Sequence, residues 1–244
     1  MELHHICIVI PTYNNAPVLS KVIESVLPYC NHIVVVNDGS TDETATILQS
    51  FQPQISVVSY PTNKGKGYAL RQGFIWARQH HFQAVLTLDS DGQHLASDIP
   101  LLVKKYHSRP NTFIIGSRSF NEANIPSKNT FANKFSNFWF CVQTGISLSD
   151  TQTGFRLYPL LPMYSMLPHG HRYEAELELL VRMAWRNIDI HEVPIHVYYP
   201  PIEERISHFR PTIDFLRISL LNVGLCIAAI FYGYPARLIR KICA

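Results

Sequence analysis

Asp89 and Asp91 stand one residue apart in the run Leu88-Asp89-Ser90-Asp91-Gly92-Gln93-His94, directly after the apolar segment Val85-Leu86-Thr87. Two carboxylates at that spacing on a strand end can share one hard divalent cation. The amide oxygen of Gln93 can supply a further ligand. Mg²⁺ and Mn²⁺ prefer such oxygen donors and keep positions open for substrate phosphates. A cation bridging a diphosphate stabilises the charge that builds on a departing nucleoside diphosphate. Asp91 is therefore a candidate for catalysis as well as for metal binding. His94 is a weaker candidate ligand, and a plain loop histidine is the simpler reading.

Three further clusters fit a nucleotide. Asn37-Asp38-Gly39-Ser40 follows Val34-Val35-Val36. An acid at a strand end can accept hydrogen bonds from a base or ribose, and Gly39 permits close backbone approach. Pro11-Thr12-Tyr13-Asn14 closes the first apolar run and forms the facing wall. Asn63-Lys64-Gly65-Lys66-Gly67 puts two cations on a glycine-rich bend before a helix, a diphosphate cradle. Its spacing is not G-x-x-x-x-G-K-[ST], which excludes a P-loop.

Short apolar runs at 6–10, 32–36, 55–59, 84–88 and 112–116 read as buried strands. Between them, helical spacing covers 18–29, a segment through Ser50 capped by Ser40 or Thr41, 67–80 and 97–106. This alternation predicts a mostly parallel sheet with helices on both faces. Ligands bind such sheets at the carboxyl ends of the strands. Asp38-Gly39 and Asp89-Ser90-Asp91 then face one crevice. Beyond Arg118 the sequence predicts an aromatic helix over 129–144, a helix over 173–186 and a strand over 188–199. Most rings of the aromatic helix are expected in the core, with Trp139 and Phe140 at an interface.

The 244 residues carry a net charge of +3, too mild to argue for nucleic acid. From Arg205 onward, six basic residues (Arg205, Arg210, Arg217, Arg237, Arg240, Lys241) stand against Asp214 alone. They flank 19 uncharged residues, close to the ~20 a spanning helix needs. Basic residues beside an apolar stretch suit an anionic membrane face. An interfacial or re-entrant helix over 218–234 is expected. Five scattered cysteines without a C-x-x-C pair read as reduced thiols in a cytosolic setting.

The ordered motifs PTYNN (11–15), NDGSTDET (37–44), NKGKGYALRQG (63–73), LDSDGQH (88–94), GSR (116–118), DTQTGFRLY (150–158) and RYEAELELLVRMAW (172–185) resemble family 2 of inverting glycosyltransferases. That resemblance implies the GT-A fold. The branch that looks most similar transfers sugars to polyprenyl phosphates, as dolichyl-phosphate mannosyl- and glucosyltransferases do. In that branch the counterparts of Asp89, Asp91 and Gln93 hold Mg²⁺ or Mn²⁺. The counterpart of Asp38 contacts the nucleotide base, and that of Arg156 lies near the donor diphosphate or acceptor phosphate. His208-Phe209-Arg210-Pro211 resembles the segment preceding the membrane-associated tail. The Q-x-x-R-W signature of processive synthases is absent.

The implied reaction takes a UDP- or GDP-sugar to a lipid phosphate or glycolipid at the cytoplasmic membrane face. The expected organisation is a catalytic domain over 1–210, with a nucleotide-sugar half (1–118, including Ser90 and Arg118) and an acceptor half (119–210). A membrane-associating segment follows at 211–244. An alcohol acceptor needs a general base; Asp150 leads that role, with Glu174 and Glu176 as alternatives. A phosphate acceptor is already ionised and needs only cations, for which Arg118, Lys128, Lys134 and Arg156 are placed. Two rivals are a nucleotidyltransferase, which lacks its glycine-rich triphosphate motif here, and a non-catalytic sugar-nucleotide sensor, which the intact acidic motif argues against.

Overall fold

The computed structural model describes residues 3, 5–118, 127–163, 165–199 and 211–242. The first half reads β1 (Ile6–Thr12), α1 (Ala16–Val26), β2 (Ile33–Asp38), α2 (Thr44–Ser50), β3 (Ser56–Tyr60), α3 (Lys66–Gln79), β4 (Ala84–Thr87), α4 (Ile99–Ser108) and β5 (Phe113–Arg118). The second half adds α5 (Ser127–Thr144), β6 (Arg156–Pro159), α6 (Glu174–Trp185), β7 (Ile190–Ile195), α7 (Pro211–Ala228) and α8 (Tyr234–Ile242). Seven strands form one sheet in the order β3-β2-β1-β4-β6-β5-β7. Every pairing is parallel except those of β6 with β4 and β5.

The central strands β1, β2 and β4 are mostly apolar and fully buried because both faces of the sheet are covered there, whereas the edge strands β3 and β7 mix polar and exposed residues. Ile6, Ile8 and Ile10 pack with Leu19, Ile23 and Leu102 of α1 and α4. Cys7 and Val9 pack on the other side with Phe74, Phe140 and Leu180 of α3, α5 and α6. Phe140 is thus core, not interface. The ring is fully enclosed because it points inward from α5, whereas Phe131 and Phe138, which were expected in the core, lie on the outer face and are 70% and 59% exposed.

The start of α2 also needs correction. Neither Ser40 nor Thr41 caps α2. Ser40 Oγ accepts from Asn14 N and Thr41 N donates to Asn14 Oδ1, so both fasten the β2 turn to the β1 turn. Asp42 serves the helix start instead, taking Thr44 N at 3.0 Å. β6 was not anticipated, because its four residues carried no strand signal. Because it runs backwards, its amino end lies at the same sheet edge as the carboxyl ends of β1, β2, β4 and β5. The segment 150–155 that precedes it therefore opens onto the same crevice as the acidic turns.

Ile213–Ile242 is one helix long and apolar enough to cross a membrane, with only 17% of its most apolar window buried. It is nonetheless tied along its length to the rest of the fold. Asp214, fully buried, pairs with Arg172 at 2.9 Å, and Asn222 Oδ1 accepts from Gln143 Nε2. Tyr234 donates to Val142 O and Arg240 to Trp185 O. Leu220, Val223, Ile227, Ile230 and Phe231 are exposed on the outer side. The His208-Phe209-Arg210 portion of the pre-tail motif lies outside the described residues.

Glu178 of α6 braces the bend that backs the glycine-rich cradle. Its oxygens take Gly170 N at 2.9 Å, His169 Nδ1 at 2.7 Å and Arg182 Nη1 at 2.9 Å. Burial alone would raise this carboxyl; the Gly170 N–H, His169 and Arg182 outweigh it and hold it below the ordinary range. A depressed carboxyl contributes stability that is present above its unfolded pKa and is lost as pH falls through the folded value. Glu178→Gln should therefore lower the midpoint of urea unfolding at pH 7 by the equivalent of about 1–2 kcal/mol. The gap should close as pH falls from about 5 downward. A gap that persists in acid would rule out the ionic part of this contribution.

Candidate active site

The centre of the crevice is the turn after β4. Thr87 Oγ1 donates to Gly154 O at 2.7 Å, joining that turn to the 150–155 segment. Asn15 Nδ2 donates both to the Ser90 carbonyl and to Ser90 Oγ, fixing the turn to the end of β1. Asp91 Oδ1 accepts from Gln93 N at 3.0 Å, a local turn bond. Gly154 faces the Asp89 carboxylate so closely that a Cβ there would overlap it. Gly154→Ala should displace Asp89 and lower turnover by roughly 10–100-fold, a cost of about 1–3 kcal/mol. Wild-type rates in that variant would show that Asp89 moves freely.

Lys66, the first residue of α3, reaches this centre: its ammonium lies 2.7 Å from Asp89 Oδ1 and 2.8 Å from Glu176 Oε2. Burial would raise the Asp89 carboxyl, but Lys66 and, further off, His94 and Arg156 hold it below the ordinary range. Asp91 goes the other way. Burial and the Asp89 charge push its carboxyl up. Burial likewise pulls His94 down, and its Nδ1 is buried without a hydrogen-bond partner. Among the described residues no three His, Cys, Asp or Glu side chains converge as a ready metal cage. Two mutually repelling carboxylates beside an unpartnered imidazole nitrogen fit a divalent cation that completes its shell with phosphate oxygens. Asp89, Asp91 and the neighbouring Gln93 and His94 are the groups that would hold it.

The expected nucleotide contacts divide. Asp38 is buried, with Oδ1 taking Lys64 N at 2.7 Å and Oδ2 taking Gly65 N at 2.8 Å. Both oxygens thus shape the Asn63–Gly67 bend. Gly65 has φ +96°, and Gly39, at φ +68°, lies against the Thr62 and Asn63 backbone, where no side chain fits. Lys64 turns outward over the rings of Tyr60 and Tyr68, leaving Lys66 as the cradle cation within the site. Pro11 and Thr12 are buried at the end of β1, and Thr12 Oγ1 has no partner. Tyr13 is half-buried beside Asn14, whose amide holds the β2 turn.

The acceptor side departs further from expectation. Asp150 is fully buried and accepts from Arg118 Nε at 2.6 Å and Nη2 at 2.9 Å, and from Arg118 N, Gln152 N and Thr153 N. Its lone pairs are committed in this arrangement. Arg156 is also fully buried: Nε donates to Thr153 O, Nη1 to Glu176 O and Nη2 to Thr151 O. It clamps the 150–155 segment to α6 and has no surface to offer a phosphate. Glu174 turns to Arg217 of α7, Lys134 is exposed on α5, and the Lys128 side chain lies outside the described ones. Asn15, Gly154 and the Lys66–Glu176 pair were missed. All of them lie in the motifs quoted above, where Lys66 and Glu176 were each expected in the site, but the pairing of those two was not legible.

Residues 7–158 match the family described as Glycosyl transferase family 2. The chain belongs to that family. This glycosyltransferase is 31% identical to a dolichyl-phosphate β-glucosyltransferase of Trichomonas vaginalis, over 88% of this chain and 73% of the relative. The chain spans between 62% and 73% of the length of three such Trichomonas relatives. It is 26% identical to a UDP-N-acetylglucosamine–dolichyl-phosphate N-acetylglucosaminyltransferase of Methanococcus voltae, over 80% of this chain and 86% of that one. Its fold is that of the Mycobacterium tuberculosis glucosyl-3-phosphoglycerate synthase crystallised with Mg²⁺ and UDP. That likeness has a TM-score of 0.64 at 20% identity, over 92% of this chain and 78% of that one.

Proposed function

We propose that this glycosyltransferase moves a hexose from a UDP-sugar to a polyprenyl phosphate at a membrane surface, with Mn²⁺ or Mg²⁺ bound at Asp89 and Asp91. The observation that carries the acceptor assignment is the state of the three candidate bases. Asp150 is enclosed by five donors, Glu174 faces Arg217, and Glu176 is ion-paired with Lys66. An alcohol needs one of them free; a phosphate, ionised before it arrives, needs none. The dolichyl-phosphate acceptors of the Trichomonas and Methanococcus relatives support the same choice.

The cation would supply counter-charge to the diphosphate as the sugar leaves it. Asp89 and Asp91 present the oxygens that hold it. Lys66 stands ready to neutralise a diphosphate oxygen, and Asp38 keeps the backbone of the cradle in shape to receive it. Arg156 and Gly154 set the distance between the 150–155 segment and Asp89. The tail suits a monotopic attachment: its inner side is bonded to α5 and α6, its outer side exposes Leu220, Val223, Ile227, Ile230 and Phe231, and Phe215 packs against Phe135 of α5. The 1–118 half then handles the donor, 119–210 the acceptor and 211–244 the cytoplasmic leaflet.

A turnover screen tests the reading. UDP- and GDP-sugars are paired with polyprenyl phosphate or with detergent-extracted membrane lipid, in Mn²⁺, Mg²⁺ or a chelator. Metal-dependent release of UDP with sugar-labelled lipid phosphate is expected. Labelled neutral lipid or glycan in its place would move the acceptor to an alcohol. Pyrophosphate release would make the protein a nucleotidyltransferase.

A further inference from the structure

The α3 and α6 helices start flush against one another, because Gly67 meets Ala175 and the Gly170 carbonyl where any Cβ would collide. That contact brings Lys66 beside Glu176, and its ammonium bridges Glu176 and Asp89. The lysine side chain is 17% exposed and the Glu176 side chain 8%. In this enclosure the ammonium sits on Asp89 Oδ1, the carboxylate that the proposed function gives to a divalent cation. Two cations cannot share one carboxylate oxygen at that range without strong repulsion, and burial sharpens it.

A nucleoside diphosphate changes this balance. It brings at least two negative charges to the start of α3, where the ammonium already stands. We propose that Lys66 is a tethered counter-ion: it holds Asp89 while no donor is present and passes to the diphosphate when one arrives, so that cation and nucleotide enter together. Glu176 keeps the ammonium within reach during the exchange. Its Oε1 is buried without a partner, so the carboxylate has accepting capacity left on that side. Lys66 is a positioning residue in this scheme, and the scheme rests on the metal-dependent donor reading.

The coupling is reciprocal: nucleotide tightens the cation by the same factor that the cation tightens nucleotide. Removing the ammonium should move the two ligands in opposite directions, which a purely structural role would not do. The experiment titrates Mn²⁺ into the full chain, following free Mn²⁺ by its paramagnetic resonance signal, with no nucleotide and with saturating UDP or GDP. Wild-type protein should bind Mn²⁺ weakly alone and at least about tenfold more tightly with nucleotide. Lys66→Met should bind Mn²⁺ alone about tenfold more tightly than wild type, bind UDP less tightly, and lose most of the coupling. Lys66→Arg keeps the charge and should keep the weak binding. Lys66→Gln repeats the neutral case if methionine disturbs the α3–α6 contact.

Unchanged Mn²⁺ affinity in the neutral variants, with nucleotide coupling intact, overturns the inference and leaves the proposed function standing. Absence of Mn²⁺ binding to wild-type protein with every nucleotide overturns the metal-dependent reading and the inference with it.

Discussion

Alanine at position 91 should lower sugar transfer by about 10³-fold while leaving the fold intact. The loss corresponds to about 4 kcal/mol of transition-state stabilisation, the scale of a metal counter-charge withdrawn from a leaving diphosphate. Folding should be spared because Asp91 makes a local hydrogen bond within its own turn, to Gln93 N. Burial and the neighbouring Asp89 charge already make its ionised form unfavourable in the metal-free protein. The metal-free variant should therefore unfold at or slightly above the wild-type temperature. Mn²⁺ with UDP should raise that temperature for wild type and not for Asp91→Ala, because only a ligand that binds the folded state stabilises it. Turnover near the wild-type rate would remove Asp91 from the metal site.

The parts of this site legible in the sequence are those whose chemistry is local. Asp89-x-Asp91 after an apolar run, and Asn37-Asp38-Gly39 after another, are each read within a few residues, and the parallel-sheet rule brings them to one edge. The helix and strand positions follow from periodicity, with boundaries shifted by a few residues where caps differ. β6 was not legible. Four residues buried on both faces, beginning with an arginine, carry no period; only pairing with β4 and β5 reveals the strand. The partners of charged groups were not legible either. Asp150 and Arg118 are 32 residues apart in sequence and meet only because β5 and the 150–155 segment share the crevice. Without that pair in view, Asp150 resembles a free base.

Arg156 separates the two ways such a motif arginine can act. A phosphate-binding arginine works through its charge, and lysine there would keep the fold and part of the activity. A buried clamp works through its fork. Here Nε, Nη1 and Nη2 each donate to a different backbone carbonyl, at 2.7, 3.0 and 2.8 Å, in a site without solvent. A lysine presents one ammonium and cannot span three acceptors on two elements. Arg156→Met leaves the Thr151, Thr153 and Glu176 carbonyls without this donor, and Arg156→Lys leaves most of them so. Each unsatisfied buried acceptor costs about 1–3 kcal/mol. Both variants should lose about 3–5 kcal/mol of stability, a fall of roughly 10 °C in the thermal midpoint for a chain of this size. Activity should fall with the folded fraction, and the KM for the nucleotide-sugar in the fraction that remains folded should change little. A stable Arg156→Lys protein with a raised donor KM would return the guanidinium to the diphosphate and end its role as a clamp.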